Sequence, residues 1–318
     1  MSNSKLDRVM VAGAGVLGGQ IAWHSAFKGK VVTVYDPFPE ALEKCRAAHQ
    51  TYAGIYKTEM EASDADIAAT MDRLTYTSDL AAAANVDLVI EAVPEVPEIK
   101  NAFYKKLAAH LPEGAIIATN SSTLLPRDFA EATGRPAQYC ALHFANMIWV
   151  MNIVEIMAHP GTSEATLTAI GHYSIEIGMV PIAIGAEQNG YAINSWLVPL
   201  LTASLQLVAD GVVSPEDVDR SFLIVNRGAP RGPMGTVDLV GMKTAYDISA
   251  YWGEVLDDDK MRRNAAFIKT QFLDKGLQGM MGGKGFYEYP NPAYEQPDFL
   301  AAPDARVVPD LVARARLS

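Results

Sequence analysis

The sequence predicts an α/β fold, a doubly wound and mostly parallel sheet that is followed by an all-helical C-terminal domain. Short apolar runs alternate with helical stretches over the first 186 residues, as in sheets whose parallel strands are joined by helices. A glycine-rich segment joins the first apolar run to the first helical stretch. Beyond residue 186 the strand pattern disappears while helical patterns continue. These observations predict one domain over 1–186 and a second over 187–318.

The elements of the first domain follow from this alternation. The apolar runs predicted as strands are 9–12, 31–35, 87–90, 115–118, 139–142, 153–157 and 180–184. The helices predicted between them are 17–28, 39–53, 98–111 and 164–178. The polar, acid-rich stretch 59–73 is predicted as a further helix that leans away from the sheet.

The second domain is predicted from helix signals. A long helix over 190–210 is expected to kink at Pro199. Ser214, followed by a proline and two acids, is a strong helix start. The remaining segments are a Gly/Pro loop over 228–235, helices over 236–253 and 258–274, a glycine-rich turn with a short extended piece over 282–290, and an irregular tail over 290–318 with room for a terminal helix.

Composition and charge exclude several classes of protein. The chain has 318 residues, of which 49% are apolar, as in a soluble globular protein with a sizeable core. The net charge of −11 disfavours nucleic acids and anionic membranes as partners. Cys45 and Cys140 lie far apart without metal-ligand spacing, so we expect free thiols, a cytoplasmic location and no metal site.

Two segments superficially resemble export or membrane signals. Lys5 and Arg8 precede an apolar run, but the glycines within that run favour a strand over a secretory signal. The uncharged stretch 191–209 approaches the length of a membrane span, yet its serine, threonine, asparagine and glutamine residues favour a core or subunit-interface helix.

The glycine-rich segment has the spacing of a dinucleotide-binding turn. Gly13, Gly15 and Gly18 form G-x-G-x-x-G between a predicted strand and a helix that begins near Val16 and Leu17. Asp36 ends the next strand, about twenty residues on, where a carboxylate binds a ribose diol. No basic residue follows in Pro37-Phe38-Pro39, which favours NAD over NADP. The alternative is a tight turn without a ligand.

A second group of polar residues follows later strands of the predicted sheet. Asn120 and Ser122 come just after a strand, His143 ends the next one, and Glu155 lies within the following strand. Twelve residues with a turn between them can bring His143 and Glu155 together across two neighbouring strands. A histidine can take the hydroxyl proton when an alcohol is oxidised, and a carboxylate on its other nitrogen fixes the tautomer. Taken singly, each residue also has a structural interpretation: a hydrogen-bonding histidine, a paired buried carboxylate, a helix cap.

With these motifs the chain resembles the 3-hydroxyacyl-CoA dehydrogenase family. The resemblance runs from about residue 8 to 290 and rests on several motifs in the same order: Gly-Ala-Gly-Val-Leu-Gly (13–18), Val-Ile-Glu-Ala-Val-Pro-Glu (89–95), Asn-Ser-Ser (120–122), His-Phe-Ala-Asn (143–146), Val-Glu-Ile (154–156), Gly-Tyr-Ala-Ile-Asn (190–194), Gly-Pro-Met-Gly (232–235) and Gly-Phe-Tyr (285–287).

The resemblance implies roles for particular residues. His143 would be the catalytic acid/base with Glu155 as its partner, and Ser122 and Asn194 would contact the reacting group. The residues that would line the cofactor or substrate cleft are Glu95, Lys100 and Asn146, with Asn120 beside them and Asp36 on the adenosine ribose. The family's second domain is helical and dimerises, which implies a homodimer here.

Departures from the family's usual sequence motifs leave the identity of the substrate open. Ala145 and Met147 interrupt the usual His-Phe-Phe-Asn-Pro, and Tyr191 stands for the usual phenylalanine. The sequence in this region is similar to that of stand-alone relatives such as diketoreductases. The stretch 46–73, near where the family's CoA would emerge, carries three basic groups and five acids. The interpretations are therefore a short-chain 3-hydroxyacyl-CoA dehydrogenase, a dehydrogenase or reductase of the same mechanism without CoA, and a non-catalytic NAD-binding protein.

Overall fold

The computed structural model describes residues 5–213, 215–228, 231, 233–255, 257–297, 299 and 301–316. The chain forms two compact units, Met1–Thr202 together with Ala302–Ser318, and Ala203–Ala301. The predicted boundary between residues 186 and 187 stays a prediction. The predicted helix start at Ser214 lies outside the described residues.

The first unit is built on one eight-stranded sheet with the strand order β3-β2-β1-β4-β5-β6-β7-β8. All neighbouring strands are parallel except β6 and β7, which are antiparallel. The strands are β1 (Arg8–Ala12), β2 (Val31–Tyr35), β3 (Leu74–Thr77), β4 (Leu88–Glu91), β5 (Ile116–Thr119), β6 (Tyr139–Phe144), β7 (Ile153–Met157) and β8 (Val180–Ile184). This mostly parallel, Rossmann-like sheet confirms the predicted fold class.

The α-helices flank this sheet and then continue alone. They are α1 (Val16–Phe27), α2 (Pro39–Glu59), α3 (Asp64–Asp72), α4 (Pro97–Ala108), α5 (Glu164–Glu176), α6 (Ile193–Ala209), α7 (Pro215–Val225), α8 (Pro233–Val240), α9 (Met242–Val255), α10 (Asp259–Gln271) and α11 (Val308–Ala315). Helix α11 gives the predicted irregular tail a terminal helix, and it packs against α5 and β8 of the first unit.

One predicted helix is shorter than expected, and another is two helices. The predicted helix 59–73 corresponds to α3, which begins only at Asp64 because Ser63 and Asp66 form a capping box there. The predicted helix 236–253 is divided between α8 and α9 at Gly241, whose φ of 91° lies in the left-handed region. Strand β3 was not predicted because its sequence, Leu-Thr-Tyr-Thr, contains no apolar run.

The central strands of the sheet are buried on both faces, so we expect ligands to approach at the ends of these strands. Alternate residues of β1 point to opposite faces, and Val9 and Val11 belong to one core cluster while Met10 and Ala12 belong to the other. In open sheets of this type the ligand crevice lies beyond the carboxyl ends of the strands.

The second unit is helical, and one buried carboxylate on α8 holds a chain segment that follows α10. The Asp238 side chain is fully buried and accepts hydrogen bonds from the N–H groups of Phe286 and Tyr287 at 2.9 and 3.0 Å. Across the described residues, no helix combines the length and apolarity needed to span a bilayer.

Candidate active site

The turn between β1 and α1 leaves no room for side chains at two of its glycines. A Cβ on Gly13, whose φ is 112°, would lie 2.3 Å from the carbonyl oxygen of Ala92. A Cβ on Gly18 would lie 2.0 Å from the carbonyl oxygen of Gly13. A Cβ on Gly15 would meet no atom within 4 Å, and no side chain caps the N-terminus of α1. The turn therefore presents open N–H groups beside open space, which suits an anion.

Asp36 braces this turn and lies between two cavities. Its Oδ2 accepts a hydrogen bond from the N–H of Ala14 at 2.9 Å, and its Oδ1 accepts one from the N–H of Phe38 at 3.0 Å. A cavity of about 540 Å³ covers the glycine turn and one face of α2, including Lys44, which the sequence analysis did not single out. A second cavity, of about 420 Å³, has an apolar lining that includes Tyr35, Phe38, Val93, Ile99 and Phe103.

These features fit the dinucleotide predicted from the sequence. The N–H groups at the start of α1 would hold the pyrophosphate, Asp36 the adenosine ribose and the second cavity the adenine ring. Val16 is exposed at the start of α1, whereas Leu17 packs against the core, so Leu17 can offer the cofactor little beyond its backbone.

His143 and Glu155 are brought together as predicted. They are directly opposite each other in the antiparallel pair of β6 and β7, and His143 Nδ1 lies 2.8 Å from Glu155 Oε2. The other carboxylate oxygen, Oε1, accepts hydrogen bonds from the N–H groups of Ala192 and Ile193 at 2.7 and 2.9 Å. Both oxygens of this fully buried carboxylate are therefore satisfied, and Nε2 is the nitrogen of His143 left to exchange a proton.

Ser122 and Asn194 also meet at this edge of the sheet. Asn194 Nδ2 lies 3.4 Å from the backbone carbonyl oxygen of Ser122. The side chain of Asn120 accepts a hydrogen bond from the N–H of Phe144 at 2.8 Å. This bond ties the segment 120–123, here called the serine segment, to the strand of His143. The structure therefore gives Asn120 a positioning contact, and its predicted contact with the cofactor stays a prediction.

Glu95 acts as the anchor of the serine segment. Its Oε1 accepts hydrogen bonds from the N–H groups of Ser122 and Thr123, each at 3.0 Å, and from the hydroxyl of Ser121. Burial alone would raise the pKa of Glu95, but the hydrogen bond from Ser121 and the charge of Lys100 outweigh it and lower that pKa to about 2. The carboxylate therefore stays ionised at neutral pH.

Lys100 is buried rather than open to the cleft. Its side chain is 1% exposed, and its Nζ lies 2.8 Å from Glu91 Oε1 and 3.2 Å from Glu95 Oε2. Glu91 also accepts hydrogen bonds from Tyr104 and Thr119. Sequence reasoning missed Glu91, whose place at the end of a buried strand was the available signal.

The loop between β6 and β7 carries Asn146, which is exposed. The loop is fixed at two points. The N–H of Met147 donates to Gln20 of α1 at 2.8 Å, and the indole N–H of Trp149 donates to Glu59 of α2 at 2.8 Å. The role predicted for Asn146 in the cleft therefore stays a prediction. Within the described part of the chain, no cluster of potential metal ligands is present.

Comparison with known proteins decides the family. Residues 8–188 match the model of the 3-hydroxyacyl-CoA dehydrogenase NAD binding domain, and residues 190–289 match that of the C-terminal domain. The chain belongs to the 3-hydroxyacyl-CoA dehydrogenase family. Membership makes it an NAD-dependent oxidoreductase of the type that acts on a CH–OH group.

Individual members of the family span most of the chain. It is 32% identical over 279 residues to a probable 3-hydroxybutyryl-CoA dehydrogenase of Deinococcus radiodurans, covering 88% of this chain and 99% of the relative. A solved diketoreductase structure is 41% identical, covering 91% of this chain and all of that chain, with a TM-score of 0.67. The (S)-3-hydroxybutyryl-CoA dehydrogenase of Ralstonia eutropha is 26% identical, covering 90% of this chain and all of that chain, with a TM-score of 0.65.

Proposed function

We propose that this enzyme interconverts a short-chain 3-hydroxyacyl-CoA and the corresponding 3-oxoacyl-CoA, with His143 and Glu155 as the acid/base pair. The observation that carries the proposal is the 2.8 Å contact between His143 Nδ1 and Glu155 Oε2, at the strand edge beside the serine segment. A similarity to 3-hydroxybutyryl-CoA dehydrogenases supports the substrate class.

The residues of the site divide the work of proton transfer and orientation. NAD, when bound, supplies the acceptor or donor of a hydride. His143 Nε2 takes the hydroxyl proton in oxidation and returns it in reduction, while Glu155 holds Nδ1 and balances the positive ring. We assign Ser122 and Asn194 to the orientation of the reacting oxygen, and the 3.4 Å contact between Asn194 Nδ2 and the backbone carbonyl oxygen of Ser122 supports their proximity.

A second candidate substrate is a 3-oxo or 3-hydroxy compound without CoA. Two observations favour it: the 41% identity to a diketoreductase, and the acidic environment at the end of α2, where Glu59 binds Trp149 of the loop that follows His143. A CoA tail carries several phosphate charges and would prefer a basic surface.

One substrate panel separates these candidates. NADH oxidation is followed with acetoacetyl-CoA, with the acetoacetyl thioester of N-acetylcysteamine, with free acetoacetate and with a 3,5-dioxo ester. The N-acetylcysteamine thioester keeps the reacting group and omits the nucleotide. A kcat/KM for acetoacetyl-CoA at least tenfold higher than for each of the three compounds without CoA supports the first candidate. A kcat/KM for acetoacetyl-CoA equal to or lower than that of any of these compounds supports the second. No turnover of any compound would contradict the proposed catalysis and favour a non-catalytic NAD-binding protein.

We also propose a homodimer and a cytoplasmic location. The family resemblance and the exposed apolar side chains on helices of the second unit, such as Phe222 and Ile224, support the dimer. The buried free thiols of Cys45 and Cys140 support a reducing compartment. Light scattering after gel filtration tests the dimer, since a mass near 34.3 kDa would contradict it.

A further inference from the structure

Tyr191 stacks on His143. The two ring centroids lie 4.9 Å apart with 28° between the ring planes, which is an offset stack. Tyr191 is 1% exposed and packs on Ala141 of β6 and Met157 of β7. These two residues are paired across the strands, one step along the sheet face from His143 and Glu155. The phenol ring therefore covers the face of the sheet that carries the acid/base pair.

The backbone turn that carries Tyr191 is itself bound to Glu155. Tyr191 has a φ of 53°, in the left-handed region that a bulky residue adopts only at an energetic cost. In this conformation the next two residues, Ala192 and Ile193, point their N–H groups at Glu155 Oε1. One short turn thus contacts the imidazole with a ring and its carboxylate partner with two amides.

The hydroxyl of Tyr191 makes no hydrogen bond to any residue that the structure describes, although it is buried. Leaving a buried hydroxyl without a partner is unfavourable, so it adds nothing to the stability of the turn. The contact that Tyr191 does make with the site is that of its ring.

An aromatic face beside an imidazole favours the charged form of that imidazole, because the ring face is electronegative. The ionisable groups that act on Tyr191 are Glu155 on β7, Cys140 on β6, and Glu91 and Glu95 at and after the end of β4. Burial raises the pKa of Cys140 to about 12, so its thiol is neutral. Glu155, which contacts His143, favours a cation here as the ring does, whereas Glu91 and Glu95 are already paired with Lys100. None of these groups is removed when Tyr191 is replaced.

We infer that Tyr191 is a positioning residue for His143: its ring sets the tilt of the imidazole and stabilises the imidazolium that forms during turnover. The inference rests on the proposed function of His143. Removing the ring lowers the population of the imidazolium at a given pH. The limb of the pH–rate profile that reports the acid/base then moves to lower pH in both oxidation and reduction.

The test compares Tyr191→Leu and Tyr191→Met, which lose the ring, with Tyr191→Phe, which keeps it. We expect kcat to fall about tenfold in the first two, with the limb moved by about 0.5–1 pH unit to lower pH and NADH affinity retained. Phenylalanine should restore both kcat and the limb. Tyr173→Leu is the matched control, because Tyr173 is equally buried but bonds Ser25, away from the site. It should lose thermal stability without moving the limb.

Two results would overturn the inference. The first is a Tyr191→Leu or Tyr191→Met enzyme with the wild-type limb and kcat. The second is a Tyr191→Phe enzyme as impaired as these, since the hydroxyl would then be the group in use. The proposed function itself is tested first, before the Tyr191 variants are compared. It is contradicted if the wild-type protein shows no turnover or if activity survives His143→Gln.

Discussion

At the scale of single residues, Asp36 is placed to serve the cofactor rather than the chemical step. Its carboxylate lies at the end of β2, holds the glycine turn through the N–H of Ala14 and borders both cavities. No catalytic candidate contacts it. A change at Asp36 should therefore act on binding.

We expect Asp36→Ala to raise the Kd for NADH by about 10–100-fold, because hydrogen bonds to a charged group are lost. At saturating NADH, kcat should change much less. Asp36→Asn, which keeps one acceptor oxygen, should lose less affinity. Asp64→Ala is the control, since Asp64 is an exposed acid paired with Lys57. Fluorescence titration measures the Kd, and an unchanged Kd in Asp36→Ala would remove Asp36 from the cofactor site.

The anchor of the serine segment belongs to the same scale. Glu95 collects the N–H groups of the segment that carries Ser122, and Lys100 holds Glu95 from its buried side. Glu95→Gln keeps the shape of the side chain and removes its charge. It would leave Lys100 with one carboxylate partner.

We expect Glu95→Gln to lower kcat about tenfold and to reduce stability by about 1–3 kcal/mol, because charge-assisted hydrogen bonds become ordinary ones. Steady-state kinetics and urea unfolding measure the two effects. Glu98→Gln, an acid in the first turn of the following helix, is the control. A Glu95→Gln enzyme with the kcat and stability of the wild type would show that the serine segment keeps its conformation without the charge of Glu95.

At the scale of elements, the turn between β1 and α1 separates packing from ligand contact. Gly18 faces the backbone of Gly13, whereas Gly15 faces open space where the dinucleotide would lie. The same substitution at the two positions should therefore have different consequences.

We expect Gly18→Ala to destabilise the protein by several kcal/mol, because a Cβ there would lie 2.0 Å from the carbonyl oxygen of Gly13. Gly15→Ala should leave stability nearly unchanged and weaken NADH binding, since the methyl group enters the cofactor's space. Thermal unfolding and NADH titration distinguish the two effects. An unchanged NADH affinity in Gly15→Ala would contradict the placement of the cofactor beside Gly15.

Secondary structure was predictable where periodicity and caps were strong. The strands β2, β7 and β8 match the predicted ranges, because apolar runs bounded by turn residues mark them. Strand β3 has the sequence Leu-Thr-Tyr-Thr, in which two threonines interrupt any apolar run, and its pairing with β2 depends on the rest of the sheet. The pairing of His143 with Glu155 was predictable from chain spacing. The stacking of Tyr191 was not, because it depends on how the start of α6 meets the sheet.

At the scale of the whole molecule, two buried histidines should govern stability in mild acid. Burial lowers the pKa of both His24 and His49 from 6.5 to about 4, despite a hydrogen bond that each makes to a backbone carbonyl. Both bond a tyrosine as well, His24 to Tyr56 and His49 to Tyr76, and these contacts join α1, α2 and the sheet.

We expect the free energy of unfolding to fall as the pH drops from 6.5 to 4. The unfolded chain takes up protons at both histidines in this range while the folded chain does not, so protonation favours unfolding. Each shift corresponds to about 3 kcal/mol at the low end of the range. Urea unfolding at pH 7, 5.5 and 4.5 measures the slope, which His49→Gln should reduce. A stability independent of pH over this range would contradict the prediction.

The proposed catalysis depends on His143 as the group that moves the proton. Glu155 and the ring of Tyr191 contact it, and the amides of Ala192 and Ile193 bind the other carboxylate oxygen of Glu155. His143→Gln keeps a polar side chain of similar size and removes the exchangeable proton site.

The most direct test is the kcat of His143→Gln on the best substrate of the panel, measured beside NADH affinity. We expect kcat to fall about 10²–10⁴-fold with NADH binding retained, as for loss of a general acid/base. His110→Gln, a change at an exposed histidine, should leave both quantities unchanged. A His143→Gln enzyme with wild-type kcat would contradict the assignment of His143 as the acid/base.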